Sequence, residues 1–144
     1  MRAVVQRVAR ASVSPGGGIE RGLCVLLGVA GGDGEEDAIR LAGKVARLRI
    51  FPDDEGRFDR SVEDVAGAVL VVSQFTLFAD TRLGRRPGFT GAAPPDLAER
   101  LYLRFAATLA SLGATVATGR FGAEMAVELV NDGPFTIWLD TDQR

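Results

Sequence analysis

Apolar and polar positions along the chain fall into blocks whose period changes. Residues 3–13 alternate, with Val4, Gln6, Val8 and Arg10 on one face, and this predicts a first strand. Pro15, Gly16, Gly17 and Gly18 make a turn into an apolar run at 23–29, so the two segments predict a hairpin. Asp33 is placed as a helix N-cap, with Glu36 three residues on as its capping-box partner. Ala38, Leu41, Ala42, Val45 and Leu48 then recur at helical spacing as far as Arg49. Residues 51–56 are turn-rich, and Phe58 continues a strand. The valine-rich run AVLVVSQF at 68–75 has no polar interruption until its end, which predicts a central strand buried on both faces. Residues 79–95, rich in Gly and Pro, predict a long ordered loop. A second helix starts near Pro95, buries Leu97, Leu101, Phe105, Leu109 and Leu112, and stops at Gly113. Residues 115–118, 125–130 and 135–139 read as three short strands. The order ββ-α-ββ-α-βββ predicts an α+β fold, two helices packed on a curved, largely antiparallel sheet, as a single domain over residues 1–144.

Composition narrows the chemistry. With 144 residues, 47% of them apolar and 25% charged, the chain is long enough to bury a core without disulfides or metal. The one cysteine, Cys24, lies in an apolar run and reads as a small buried hydrophobe. A lone cysteine, no secretory leader and no run of membrane-spanning length predict a cytoplasmic protein. The net charge is −2, so no global field draws the chain to nucleic acid, and any such contact must come from a local patch. Histidine is absent. That removes Ser-His-Asp and Cys-His catalysis and His-ligated metals, and one cysteine cannot build a Cys-rich zinc site. The expectation is no metal and no cofactor.

Three segments could carry chemistry. Ser73, Gln74, Phe75, Thr76 and Leu77 stand where the buried strand runs out, and their hydroxyl, amide and backbone N–H groups could bind an oxyanion or simply satisfy a sheet edge. Asn131, Asp132, Gly133, Pro134 and Phe135 form a Gly-Pro turn between two strands, a usual place for a cis peptide and equally for an ordinary hairpin turn. Arg82, Arg85 and Arg86, with Phe89 beside them, make the one local basic cluster; it could grip phosphates and stack a base, or be a solvated loop.

Taken together, these segments resemble the bacterial and eukaryotic D-aminoacyl-tRNA deacylase family. The resemblance runs from RAVVQRVARASV through GLCVLLGV, RIFPDDEGRFDRS, VLVVSQFTLFAD and RRPGFTGAAPP to TGRFGAEMAVELVNDGPFTIWLDT. It implies that family's fold, as a homodimer with active sites at the subunit interface, acting on the aminoacylated 3′ end of tRNA. Ser73, Gln74, Phe75, Thr76 and Leu77 would receive the ester and the terminal adenosine, with backbone N–H groups near Phe75 and Thr76 binding the oxyanion. Gly133 and Pro134, joined by a cis bond, would reach in from the partner subunit as a chiral screen held by Arg7, with Met125, Asn131 and Phe89 in the same pocket. The implied reaction is hydrolysis of D-aminoacyl esters, and of glycyl esters mischarged on tRNA-Ala. The first turn, residues 14–20, is shorter than the family's usual one, and Phe135 stands where bacterial members more often carry valine.

Two other readings fit parts of the pattern. One is the sister deacylase that clears L-alanyl-tRNA, against which Phe75 argues. The other is a non-catalytic nucleic-acid-binding dimer using the arginine loop, against which the net negative charge and the single lysine argue.

Overall fold

The structure is a computed structural model and describes residues 1–143. Strands β1 (Arg2–Ser14), β2 (Gly18–Ile19) and β3 (Gly22–Gly28) come first, then helix α1 (Glu35–Arg47). A small ribbon of β4 (Phe51–Pro52) and β5 (Phe58–Arg60) precedes β6 (Ala68–Ser73). A 3₁₀ turn (Phe75–Phe78), helix α2 (Pro95–Ser111), β7 (Thr115–Thr118) and β8 (Ala126–Asp140) complete the chain. This is the expected α+β fold.

β1 organises the sheet. One edge pairs antiparallel with β3 from Arg2 to Val8 and with β2 at Ala11 and Ser12; the other pairs antiparallel with β8 along its whole length. β6 joins β3 in parallel and β7 joins β6 in parallel, so the sheet is mixed, with the antiparallel pairs in the majority. The Gly17 N–H donates to the Thr118 carbonyl at 3.0 Å, and Gly16 bridges Gly119. These contacts bring the tip of the first hairpin to the end of β7 and curl the sheet until it nearly closes.

Both faces of β3 and β6 are covered, which explains their unbroken apolar runs. On the helix side, Leu23, Val25, Leu27, Val69 and Val71 pack with Leu41 and Val45 of α1 and Leu101, Phe105 and Leu109 of α2. On the opposite side, Cys24, Leu70 and Val72 meet Val8, Ala11 and Val13 of β1. The Tyr102 hydroxyl, buried, donates to the Val71 carbonyl at 3.1 Å and ties α2 to β6.

Five local expectations are corrected. Leu112, expected on the buried face of α2, is its C-cap and is exposed. Val4, Gln6 and Val8 share a face, but Arg10 does not continue it. The pairing with β8 shifts between Val8 and Arg10, and Ala11 joins Val8 in the core instead. Asp33 does not cap α1. Its carboxylate accepts from the Met1 amino group at 3.0 Å and from the Ala30 N–H at 2.7 Å. Gly34 is the N-cap, and Asp37, not Glu36, reaches back to its N–H at 2.9 Å. Finally, the last two predicted strands are one: both halves of β8 pair with β1, and the Gly-Pro segment is a bulge inside it.

Candidate active site

β6 is the parallel strand whose C-terminal end opens the site. Its pairing with β3 extends one step past the strand, where the Gln74 N–H donates to the Leu27 carbonyl at 2.7 Å. The chain then tightens into the 3₁₀ turn, closed by Leu77 N–H to the Gln74 carbonyl at 3.3 Å. A turn of this kind leaves its first N–H groups, those of Phe75 and Thr76, without partners inside it. The turn packs against Gly28 at the end of β3. A Cβ there would meet Leu77 Cβ at 3.0 Å and the Gln74 carbonyl oxygen at 3.1 Å, so the close approach depends on that glycine. From the other side Arg2 grips the turn. Its Nη1 donates to the Leu77 carbonyl at 2.8 Å, its Nε to Asp140 at 3.2 Å, and its guanidinium lies 4.4 Å from the Phe78 ring centre.

A cavity of about 800 Å³ lies over this turn. Val72, Ser73, Gln74, Phe75 and Thr76 form its floor. Phe89 with the start of α2 makes one wall, and the segment from Phe121 to Met125 makes the other. The Phe75 and Phe89 rings meet edge to face at 5.0 Å, and Phe75 is still 55% exposed. The Gln74 side-chain amide donates to the Thr76 hydroxyl, which points that amide along the floor. A mostly apolar cleft with a few convergent hydroxyl, amide and N–H donors has the usual make-up of a small-molecule site.

Of the residues expected in the site, Ser73, Gln74, Phe75, Thr76, Phe89 and Met125 come together here. Leu77 does not line the cavity; its side chain packs by Gly28, and its carbonyl serves Arg2. Arg7, Asn131, Gly133 and Pro134 form a second cluster, also outside the lining. Between Thr136, opposite Gln6, and Asn131, opposite Val8, β8 has four residues facing only Arg7, so residues 132–135 bulge outward. The Asn131 side chain bridges the base of the bulge. Its amide donates to the Arg7 carbonyl at 2.9 Å and the Phe135 carbonyl at 3.0 Å, and its oxygen accepts from the Phe135 N–H at 3.3 Å. Arg7, buried, donates from Nε to the Asp132 carbonyl at 3.1 Å and from Nη1 to the Ile50 carbonyl at 2.7 Å, and its guanidinium lies 4.9 Å from the Phe135 ring centre. Gly133 takes φ +140, the Gly133–Pro134 peptide is cis, and both residues are exposed at the crest.

Sequence reasoning did not single out the second wall beyond Met125. Glu124, with its carboxylate, and Phe121 belong to the lining. The signal available was the FGAEM stretch around Gly122, a turn leading straight into β8. Among the described residues no group of three His, Cys, Asp or Glu side chains is placed to hold a metal ion.

The fold is an α+β domain, and its cleft is lined by backbone, hydroxyl and amide groups among apolar side chains. The family model described as D-Tyr-tRNA(Tyr) deacylase matches residues 4–140. The chain belongs to that family. A D-aminoacyl-tRNA deacylase of Ruegeria pomeroyi is 59% identical over 97% of this chain and 99% of its own length. One of a Roseiflexus species is 60% identical over 98% and 94%. Among solved structures, the c-Myc DNA Unwinding Element Binding Protein superposes with a TM-score of 0.91 at 41% identity, covering 98% of this chain and 99% of that one. A chain solved as a probable eukaryotic D-amino acid tRNA deacylase has the same fold, with a TM-score of 0.80 at 18% identity over 96% and 97%.

Proposed function

We infer that this chain is a D-aminoacyl-tRNA deacylase, a hydrolase that splits the ester between a D-amino acid and the terminal ribose of tRNA and releases both. The observation that carries this reading is the strand-end turn at residues 73–77 opening into a cleft of about 800 Å³, in a chain of this family. The ester's neighbouring 2′-hydroxyl assists its own hydrolysis, so the protein's task is to position the ester and stabilise the oxyanion. The Phe75 and Thr76 N–H groups supply that stabilisation, and the cleft takes the terminal adenosine against Phe89. Thr76 is not a nucleophile in this scheme; its hydroxyl accepts from Gln74, and no histidine exists to activate it.

Chirality is read by Gly133 and Pro134 of a partner copy in a homodimer. What supports this is their place: exposed, braced by Arg7 and Asn131, and away from the cleft of their own chain. Their carbonyls, set against the α-carbon of the substrate, collide with the Cβ of an L-residue and leave room for a D-residue or for glycine. Glycyl esters mischarged on tRNA-Ala are therefore also substrates.

The test is hydrolysis of one tRNA charged in turn with D-tyrosine, L-tyrosine and glycine, by protein that sediments at twice the chain's mass. Rapid loss of the D-tyrosyl and glycyl esters with the L-tyrosyl ester spared is expected. Loss of all three would remove the chiral screen from the proposal. Loss of none would leave a nucleic-acid-binding protein, the function that the name of the 41%-identical solved relative describes for that protein.

A further inference from the structure

The geometry points to the loop from Asp80 to Gly88 as a second contact for the substrate, in which Arg85 and Arg86 hold backbone phosphates of the RNA whose charged end occupies the cleft. This rests on the deacylase reading and adds to it a place for the body of the RNA.

The loop is built rather than loose. Its ends are locked by a reciprocal pair of backbone bonds, Asp80 N–H to the Gly88 carbonyl at 2.7 Å and Gly88 N–H to the Asp80 carbonyl at 2.9 Å. Inside it Arg82 donates from Nε and Nη2 to the two Asp80 carboxylate oxygens at 2.9 and 2.8 Å, and its backbone N–H adds a third bond at 3.1 Å. The guanidinium holds that carboxyl down to about 2, so the pair stays ionised at neutral pH and its charges cancel. Arg85 and Arg86 are different. Both are exposed, and among the described residues neither takes part in an ion pair or a side-chain hydrogen bond. Gly84, at φ +70, turns the tip just before them.

Both arms of the loop grow from the rim of the cleft. One leaves the 3₁₀ turn two residues after Phe78; the other enters Phe89, whose ring rests on Phe75. The chemistry of the substrate then decides what such a rim meets. An ester on the terminal ribose has its first phosphodiester one linkage away, so groups flanking an ester cleft face phosphates first. Two unpaired guanidiniums there create a local attractive spot on a chain whose overall net charge is −2. Such contacts carry no base information and should act alike on every tRNA.

The experiment follows steady-state hydrolysis of D-tyrosyl-tRNA across a salt series for the wild type, the double variant Arg85→Gln/Arg86→Gln, and Arg47→Gln, which removes an exposed arginine on α1. For the double variant KM should rise about tenfold at low salt with kcat unchanged, and log(kcat/KM) against log salt should become shallower by roughly one to two. Arg47→Gln should move neither, and thermal melts should confirm that all three are folded. An unchanged KM and slope would overturn the proposal, as would a fall in kcat at constant KM. A wild type that hydrolyses nothing would sink the deacylase reading instead. Salt-dependent binding of uncharged tRNA by the same three proteins, followed by anisotropy, would then decide the role of the loop on its own.

Discussion

Asn131 replaces a missing piece of backbone. Where β8 leaves its ladder for four residues, the side-chain amide of Asn131 donates to carbonyls of both strands and its oxygen accepts the Phe135 N–H. Asn131→Asp is nearly the same size but cannot donate, so two carbonyls lose their partner and face a carboxylate instead. We expect a loss of about 2 kcal/mol in urea unfolding, and with it a drop in discrimination between D- and L-tyrosyl esters because the crest at Gly133 and Pro134 loosens. A variant as stable and as selective as the wild type would show that Arg7 alone holds the bulge. Arg7 is suited to that share of the work: its planar guanidinium serves carbonyls in two different segments, Ile50 and Asp132, and still covers the Phe135 ring.

At the scale of elements the site depends on how one 3₁₀ turn is seated. β3 meets it through Gly28, and β1 and β8 meet it through Arg2 and Asp140. Gly28→Ala puts a methyl at 3.0–3.2 Å from Leu77, Gln74 and Phe78, and the turn must give by a few tenths of an ångström. The expected result is a fall in kcat of roughly tenfold or more, since misplacing the donors of an oxyanion site costs transition-state binding, with KM and melting temperature changed far less. If kcat is retained while stability falls, the Phe75 and Thr76 N–H groups are not the donors.

For the whole molecule, two apolar layers cover opposite faces of the sheet, and Cys24 lies between β1 and β6 in the layer away from the helices. Burial pushes its thiol up to about 11. The fold therefore favours the neutral thiol. Its contribution is fully present below the thiol's ordinary value of 9.0 and is lost as pH rises towards 11. Native protein at pH 8 should react with a thiol reagent only as fast as it unfolds, and stability should decline above about pH 9, less steeply in Cys24→Ala. Fast labelling of the native state would place Cys24 on a mobile surface instead.

The periodicity of the chain was enough for both helices, for β3 and β6, and for the α+β class, because each of these buries a repeating face whose spacing is written locally. The polar end of β6 was legible as the edge of a cavity for a similar reason: an apolar run that stops in hydroxyls and amides marks where a core strand meets an opening. What remained hidden depended on pairing between distant segments. Gly-Pro after Asn131 reads as a turn, and only the shared partner β1 makes it a bulge in one long strand. Asp33 has the chemistry of a cap, yet the amino group of Met1, brought to it by the fold, claims its carboxylate. The wall from Phe121 to Met125 became part of the cleft because β7 lies beside β6, a parallel neighbour that no local pattern announces. Local spacing determines which faces must be buried; which segments meet to bury them is settled by the packing of the whole chain, where hydrogen-bond partners and close contacts come from residues far apart in sequence.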